Sequence, residues 1–107
     1  MGRKGLGEFE HQVLLAVLQL GGEAYSVPIV VELEERAGRE VSQAAVFIVL
    51  RRLEAKGLVR SRVSGADGSA RPRRYFEVTP GGLEQVRASR EALLRLWDGL
   101  EAVLDRP

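Results

Sequence analysis

The sequence has no cysteine and only one histidine, His11, among its 107 residues. Without cysteine the chain can form neither disulfide bonds nor thiolate metal sites, and one histidine alone does not make a metal cluster. Long apolar runs are also absent, and the opening stretch MGRKGLGEFEHQ lacks the apolar centre of a signal peptide. We therefore expect a cytoplasmic protein with no membrane contact and no bound metal.

Motifs that mark common enzyme classes are missing as well. The chain has no G-x-S-x-G, no P-loop and no G-x-G-x-x-G, and its glycine pairs are too short to hold a phosphate. We therefore predict that the protein is not an enzyme and uses no cofactor. Its length suits one domain with a modest core, which makes oligomerisation an expectation.

The formal net charge is only +1, but positive charge is concentrated in the middle of the chain. Residues 39–75 contain nine basic and three acidic residues, whereas acidic residues outnumber basic ones in residues 1–38 and 76–107. A solvated surface without a charged partner usually mixes its signs. This distribution therefore favours a surface that faces a polyanion.

Apolar periodicity and helix-ending glycines predict two helices in the first third of the chain. The first runs from Gly7 to the glycine pair 21–22. The second has Ser26 as its N-cap, Pro28 in its first turn and Gly38 at its end. Its predicted inward residues are Val27, Ile29, Val30 and Leu33.

A third helix is predicted from Ser42, its cap, to near Gly57, and two strands follow it. The predicted buried face of this helix is Ala45, Val46, Val49, Leu50 and Leu53. After this helix, the spacing of apolar residues changes from the helical 3.6 towards the strand value of 2. The change occurs in LVRSRV (58–63) and in RRYFEV (73–78), on either side of a loop rich in glycine. These two segments predict a β-hairpin.

The last segment predicts one long helix, with Thr79 as its cap and Pro80 at its first position. Within it, Gly99 costs about 1 kcal/mol relative to alanine. The predicted fold class is mainly α with a small β-hairpin (α+β). Its layout is that of a winged helix-turn-helix domain over residues 1–79, with a C-terminal dimerisation helix over residues 80–107 in the same compact unit.

The outer face of the third helix suits the major groove of DNA, which is about 12 Å wide and admits one helix. Glutamine can pair with adenine, arginine with guanine, and small or apolar groups can contact a thymine methyl. In an alternative reading, Phe47 packs on the second helix or on the hairpin, and Arg51 and Arg52 are ordinary surface residues, with Arg52 near Glu54. The predicted DNA contacts of this helix are Gln43, Ala44, Phe47, Ile48, Arg51 and Arg52.

The hairpin is rich in arginine, which suits it to the sugar-phosphate backbone beside the groove. In the alternative, these arginines only protect a strand edge from aggregation. Arg73 and Arg74 are adjacent on a strand and point to opposite faces, so at most one of the two needs to touch DNA. The predicted phosphate contacts are Arg62, Arg71, Arg73 and Arg74.

Apolar residues of the last helix recur with the 3–4 spacing of a coiled-coil seam, interrupted only by Arg90. In the alternative, this stripe packs on the first helix of the same subunit. Trp97 can either fill a dimer core or stack on a flat ligand, which leaves a small-molecule effector as an open alternative. The predicted dimer contacts are Leu83, Val86, Leu93, Trp97, Leu100 and Leu104.

Nearly the whole chain resembles the PadR-like family of bacterial transcriptional regulators, in its short form. The resemblance rests on the turn EAYS into the second helix, on the stretch from Ser42 that ends RLEAKGLV, and on RRYFEVTPGG. It implies a homodimeric winged helix that binds double-stranded DNA, often as a repressor, with a C-terminal dimer interface. With it we also assign Tyr25, Ser26 and Ser42 to the DNA-binding residues.

The chain departs from the family pattern in the recognition helix. Family members commonly have glycine and then tyrosine where this chain has Ala44 and Phe47, so a tyrosine hydroxyl contact to phosphate is lost at that position. The competing function is a winged-helix module that docks a protein without DNA. Heparin retention and salt-dependent DNA binding distinguish the two functions, because both require the basic segment to face a polyanion.

Overall fold

The computed structural model describes residues 6–65 and 72–106. The observed order agrees with the predicted one for the three helices, the hairpin and the start of the last helix. The elements are α1 Glu8–Gln19, β1 Glu23–Ala24, α2 Ser26–Ala37, α3 Gln43–Ala55, β2 Val59–Ser64, β3 Arg73–Val78, α4 Pro80–Trp97 and α5 Glu101–Leu104. Strands β2 and β3 form the wing.

The core lies where α1, α2 and α3 meet the inner face of the sheet. Its largest fully buried side chains include Leu14 of α1, Ile29 of α2, Leu50 of α3 and Phe76 of β3. Burying an aliphatic or aromatic side chain of this size stabilises the fold by about 1.5–3 kcal/mol. The predicted inward orientation of Val27 is wrong, because only one face of α2 reaches the core and Ile29 lies on it.

Two of the three predicted helix caps are confirmed. Ser42 Oγ accepts a hydrogen bond from the backbone N–H of Ala45 at 3.0 Å, and Thr79 Oγ1 accepts one from the N–H of Gly82 at 3.0 Å. Such caps pair backbone donors that the first helical turn leaves open. The third prediction is wrong: Tyr25 occupies the N-cap position of α2, and Ser26 is the first residue of the helix.

The sheet has a third strand that the sequence pattern did not predict. Strand β1 pairs antiparallel with β3, opposing Glu23 to Glu77 and Ala24 to Phe76, and gives the order β1-β3-β2. Two residues are too few to show the alternation by which a strand is recognised in a sequence. The predicted hairpin is therefore part of a three-stranded sheet.

The predicted single C-terminal helix is interrupted. Helix α4 ends at Trp97, and Gly99 adopts a left-handed backbone conformation with φ of 85° before α5 begins. Glycine has no Cβ and takes this conformation readily. Leu100 and Leu104 thus lie beyond the break, and the predicted seam does not continue along one helix axis.

Gly82 allows α4 to approach the base of the wing closely. A Cβ on Gly82 would lie 2.8 Å from Val78 Cγ1 and closer still to the carbonyl oxygen of Leu58. The backbone N–H of Thr79 also bonds to that carbonyl at 3.0 Å. Gly82 therefore has a packing role that its low helix propensity does not indicate.

Candidate nucleic-acid interface

Three adjacent clefts lie where the start of α2, the outer face of α3 and the wing meet, and Gln43 lines all three. We call this region the helix-wing surface. It brings together most of the predicted DNA-binding residues, although they come from three separate parts of the chain. Its residues are Tyr25, Ser26, Val27, Gln43, Ala44, Phe47, Ile48, Pro72, Arg73 and Arg74.

The two bulky apolar residues on the outer face of α3 differ in how far they are covered. Phe47 is 37% exposed, and its ring packs edge-on against Phe76 of the wing, with centroids 5.7 Å apart. Ile48 is 55% exposed within the protomer. Phe47 therefore both packs on the wing and lines the clefts, whereas Ile48 is available to a partner molecule.

Arg51 and Arg52 lie further along α3, and both are exposed. The sequence reading placed Arg52 near Glu54, but the neighbour of Glu54 is Arg51. Arg51 Nε lies 3.6 Å from Glu54 Oε1 across one turn of the helix. An exposed ion pair of this kind is weak, because water screens the two charges and forming the pair costs side-chain entropy. Arg51 can thus turn towards an anion at little cost.

A separate ion pair joins Lys56, the C-cap residue of α3, to Glu10 of α1. Lys56 Nζ donates hydrogen bonds to both carboxylate oxygens of Glu10, at 2.8 and 3.0 Å. Burial raises the pKa of Glu10, but the hydrogen bonds from Lys56 and from the N–H of Gly7, together with the charges of Lys56 and Arg52, leave that pKa below its usual value. This pair stabilises the position of α3 on α1.

On the outer face of the sheet, an acidic residue of β1 holds one of the predicted phosphate contacts. The guanidinium of Arg62 donates two hydrogen bonds to Glu23, from Nε to Oε2 at 2.9 Å and from Nη2 to Oε1 at 3.1 Å. It also lies 5.1 Å from the ring centre of Tyr75. The hydrogen bonds to Glu23 raise the pKa of Arg62, because they favour its charged form.

The same face carries an aromatic pair that positions a second arginine. The rings of Tyr25 and Tyr75 pack edge to face with centroids 5.4 Å apart. The guanidinium of Arg73 lies over Tyr25, 4.5 Å from the ring centre, in the geometry of a cation–π contact. This stacking holds Arg73 beside the first turn of α2, at the edge of the helix-wing surface.

The strand register confirms that Arg73 and Arg74 point to opposite faces of the wing. Arg73 opposes Ser64, and Arg74 opposes Val63 on the face that carries Phe76. Arg74 Nη1 donates a hydrogen bond to Ser61 Oγ at 3.0 Å. Ser61 in turn donates to Glu54 Oε2 at 2.7 Å, which links Arg74 to α3. Arg71 lies outside the described residues.

The carboxylates that pair with the wing arginines were not predicted. Besides Glu23, Glu77 of β3 accepts a hydrogen bond from Arg60 Nε at 3.1 Å. The period-2 pattern of the two strands indicates that opposed residues share a face, and this signal could have linked Arg60 to Glu77. No such signal exists for Glu23, whose position depends on the unpredicted strand β1.

An apolar surface remains uncovered on α4 and α1, away from the helix-wing surface. A cleft of about 400 Å³ is lined by His11 and Leu15 of α1 and by Val86, Leu93 and Trp97 of α4, among others. His11, the single histidine of the chain, therefore borders this cleft. Leu93 is 46% and Trp97 51% exposed. The other exposed apolar residues of this end are Leu83, Leu94, Leu96, Leu100, Val103 and Leu104.

Two other kinds of site are absent from residues 6–65 and 72–106. No group of three histidine, aspartate or glutamate side chains there is arranged to hold a metal ion. None of the helices in this part of the chain has both the length and the apolar character that crossing a bilayer requires. The helix-wing surface, which contains Arg73 and Arg74, is the candidate functional site.

Comparison with known proteins identifies the family. The family model of the transcriptional regulator PadR-like family matches residues 14–88, whereas no curated protein sequence matches the chain significantly. Among solved structures, a PadR family transcriptional regulator from Eggerthella lenta DSM 2243 is 29% identical with a TM-score of 0.69, and the match covers 89% of this chain and 82% of that one.

Two more distant structures share the fold. A PadR-like transcriptional regulator from Bacillus cereus strain ATCC 14579 is 19% identical with a TM-score of 0.72, over 92% of this chain and 93% of that one. A winged-helix DNA-binding protein from STIV is 11% identical, also with a TM-score of 0.72, over 90% of this chain and 98% of that one. By its sequence match over residues 14–88 and by its winged-helix fold, the chain belongs to the PadR-like family of transcriptional regulators.

Proposed function

We propose that this PadR-like regulator is a repressor that binds a two-fold symmetric operator in double-stranded DNA as a homodimer. The observation that carries the proposal is the open outer face of α3: Gln43 and the exposed Ile48 line one cleft, and Gln43 also lines the adjacent cleft with Arg73 and Arg74 of the wing. A buried helix face would have no such combination of an uncovered apolar residue, hydrogen-bonding groups and positive charge. The proposed role is binding in the bacterial cytoplasm, without catalysis.

The α3 face supplies the proposed base contacts. Gln43 has the donor and acceptor of a carboxamide, which match adenine, and Arg51 has the two-pronged guanidinium that matches guanine. Ala44 and Ile48 are suited to thymine methyl groups. Phe47 contributes the apolar wall of the cleft from its place against Phe76.

The wing and the helix starts supply the proposed phosphate contacts. Arg73 is the foremost of them, because its stacking on Tyr25 holds the guanidinium at the edge of the helix-wing surface. Arg74 is tied to Ser61 on the inner face, and Arg62 is paired with Glu23. Phosphate contacts fix the register of the protein and contribute most of the salt dependence. Further proposed contacts come from Tyr25, Ser42, Arg52 and Arg71.

The uncovered apolar surface supports the proposed dimer. Small monomers rarely expose large continuous apolar patches, and exposed apolar residues of α4 line a cleft with Leu15 of α1, while Val103 and Leu104 of α5 are exposed as well. We therefore propose that residues 80–107 provide the dimer interface of a DNA-binding unit formed by residues 1–79. The proposed interface residues are Leu83, Val86, Leu93, Trp97, Leu100 and Leu104.

Trp97 has two candidate roles in that interface. Because its indole is half exposed in the protomer, we propose that the partner subunit covers it. The second role is to stack on a flat small-molecule effector in the cleft of about 400 Å³ that it lines. Its fluorescence distinguishes the roles: dilution changes the emission if the partner covers the ring, and effector binding changes it at constant protein concentration.

The alternative function is docking of a protein partner by the same surface without DNA. Heparin chromatography and fluorescence anisotropy with labelled DNA duplexes at several salt concentrations decide between them. A DNA-binding regulator gives a linear decrease of log K with log salt, with a slope of about −0.9 for each neutralised phosphate. Weak heparin retention and weak DNA binding at low salt would favour the protein-docking function.

A further inference from the structure

Ser26 is the single buried polar residue among those that the structure describes, with 7% of its surface exposed. Its hydroxyl is not left alone: Gln43 Nε2 donates a hydrogen bond to Ser26 Oγ at 3.0 Å. Buried polar groups without such a partner are costly, so this bond satisfies Ser26 and at the same time restrains Gln43. It joins the first residue of α2 to the first residue of α3.

The restrained side chain is at the centre of the helix-wing surface. Gln43 borders all three clefts there, and no other residue of the surface does. Ser26 lines two of the clefts, but only 7% of its surface is exposed and its hydroxyl oxygen accepts the hydrogen bond from Gln43. The hydrogen bond gives Ser26 a route to base recognition through Gln43.

The chemistry of the carboxamide shows what the bond does. Its nitrogen has two hydrogens and its oxygen is an acceptor, so one hydrogen bond to Ser26 leaves one N–H and Oε1 available. One donor beside one acceptor is the pattern complementary to N7 and the N6 amino group of adenine. A glutamine without this restraint rotates about its side-chain bonds and can present its donor and acceptor to other bases as well.

We propose that Ser26 is a positioning residue for DNA recognition: it holds the Gln43 carboxamide in the orientation that reads adenine. The inference rests on the proposed function, because it assumes that α3 enters the major groove. Ser26 makes no DNA contact of its own. Its loss reduces discrimination at the base pair that faces Gln43 and leaves the phosphate contacts intact.

The test compares base preference rather than bulk affinity. Operators are selected from random duplexes with the full-length wild-type protein, and each base pair of the selected operator is then replaced in turn. Binding of the wild type, Ser26→Ala, Gln43→Ala and the double variant is measured on every duplex. Ser89→Ala, which removes a hydroxyl from α4, is the matched control, and thermal unfolding monitors the fold of each variant.

We expect Gln43→Ala to lose a discrimination of about 5- to 150-fold for adenine at one symmetric pair of positions. Ser26→Ala loses a large part of the same preference at the same positions, with the salt slope unchanged. In the Gln43→Ala background, removing the hydroxyl has no further effect on base preference. Ser26→Thr, which keeps a hydroxyl, retains adenine preference, and Ser89→Ala matches the wild type.

Other outcomes overturn the inference. If Ser26→Ala weakens binding equally on all duplexes, or changes only the melting temperature, the bond is structural and does not orient Gln43 for reading. The same holds if the two substitutions have additive effects on base preference. If the wild type selects no sequence at all, the proposed function fails and this inference fails with it, a result distinct from selection followed by an unaltered preference in Ser26→Ala.

Discussion

Arg62 on the wing and Glu23 on β1 form a two-point ion pair on the outer face of the sheet, with N–O distances of 2.9 and 3.1 Å. The pair places a carboxylate beside Arg62, which we propose as a phosphate contact because it lies in the arginine-rich wing. A phosphate oxygen and the carboxylate oxygens need the same guanidinium donors. In the proposed DNA complex, a phosphate would therefore compete with Glu23 for Arg62.

Replacing Glu23 with glutamine should strengthen binding to random DNA. An exposed ion pair contributes about 0.2–1 kcal/mol, so making Arg62 available raises affinity by up to about fivefold for each protomer, or about 30-fold for a dimer that uses both. Glu34→Gln, on the exposed side of α2, removes the same charge away from the wing and is the control for the change in net charge. Equal affinities of the two variants, measured by anisotropy at one salt concentration, would show that Glu23 does not restrain Arg62.

The two adjacent arginines of β3 should differ in their effect on salt dependence. Arg73→Ala should flatten the slope of log K against log salt by about 0.9 per lost contact, or about 1.8 for a symmetric dimer. Arg74→Ala should change the slope less, because its guanidinium is bound to Ser61 on the inner face. A larger change for Arg74→Ala would reverse the assignment, and no change for either would remove the wing from the DNA contact.

Leu93→Asp should give a folded monomer. Leu93 is exposed within the protomer, so the substitution spares the core, but it places a charge in the proposed interface, where desolvation penalises it strongly. Light scattering measures the mass, and circular dichroism verifies that the helices persist. Glu91→Gln, an exposed substitution on the same helix, should remain dimeric. A wild type that is monomeric at micromolar concentration contradicts the prediction.

Gly82→Ala should destabilise the protein, whereas Gly81→Ala should not. The methyl group at position 82 meets the carbonyl of Leu58 and the side chain of Val78, which costs about 1–3 kcal/mol of unfolding free energy. At position 81 the nearest atoms are 3.6 Å away, and alanine is favourable in a helix by up to about 1 kcal/mol. Urea unfolding of both variants tests the difference, and equal stabilities would disprove the close approach.

The parts of the fold that could be predicted are those specified by neighbouring residues. Ser42 and Thr79 act as caps because each bonds to a backbone N–H three residues along, and the buried face of α3 follows from helical spacing. The N-cap at Tyr25 was missed because the preference for serine at caps pointed to the next residue. The end of α4 was missed because an isolated glycine such as Gly99 is usually tolerated within a helix, so the pattern did not indicate that the helix ends there.

The sequence predicted which residues belong to the candidate site, but not how their side chains contact one another. The pattern placed Gln43 on the outer face of α3, yet it did not show that Ser26, seventeen positions earlier, bonds to it. The Glu23–Arg62 pair likewise requires β1 beside β3, a contact across 39 positions of chain. Such contacts depend on how the elements pack, and local periodicity contains no information about them.

The most direct test of the account is selection of bound duplexes from a random double-stranded library, followed by sequencing. We predict an inverted repeat with half-site centres about 34 Å apart, or a multiple of that distance, because two α3 helices would enter major grooves on one side of the duplex. We also predict that one dimer occupies each selected duplex. Absence of any enriched sequence, or enrichment of a site without two-fold symmetry that binds a single protomer, would contradict it.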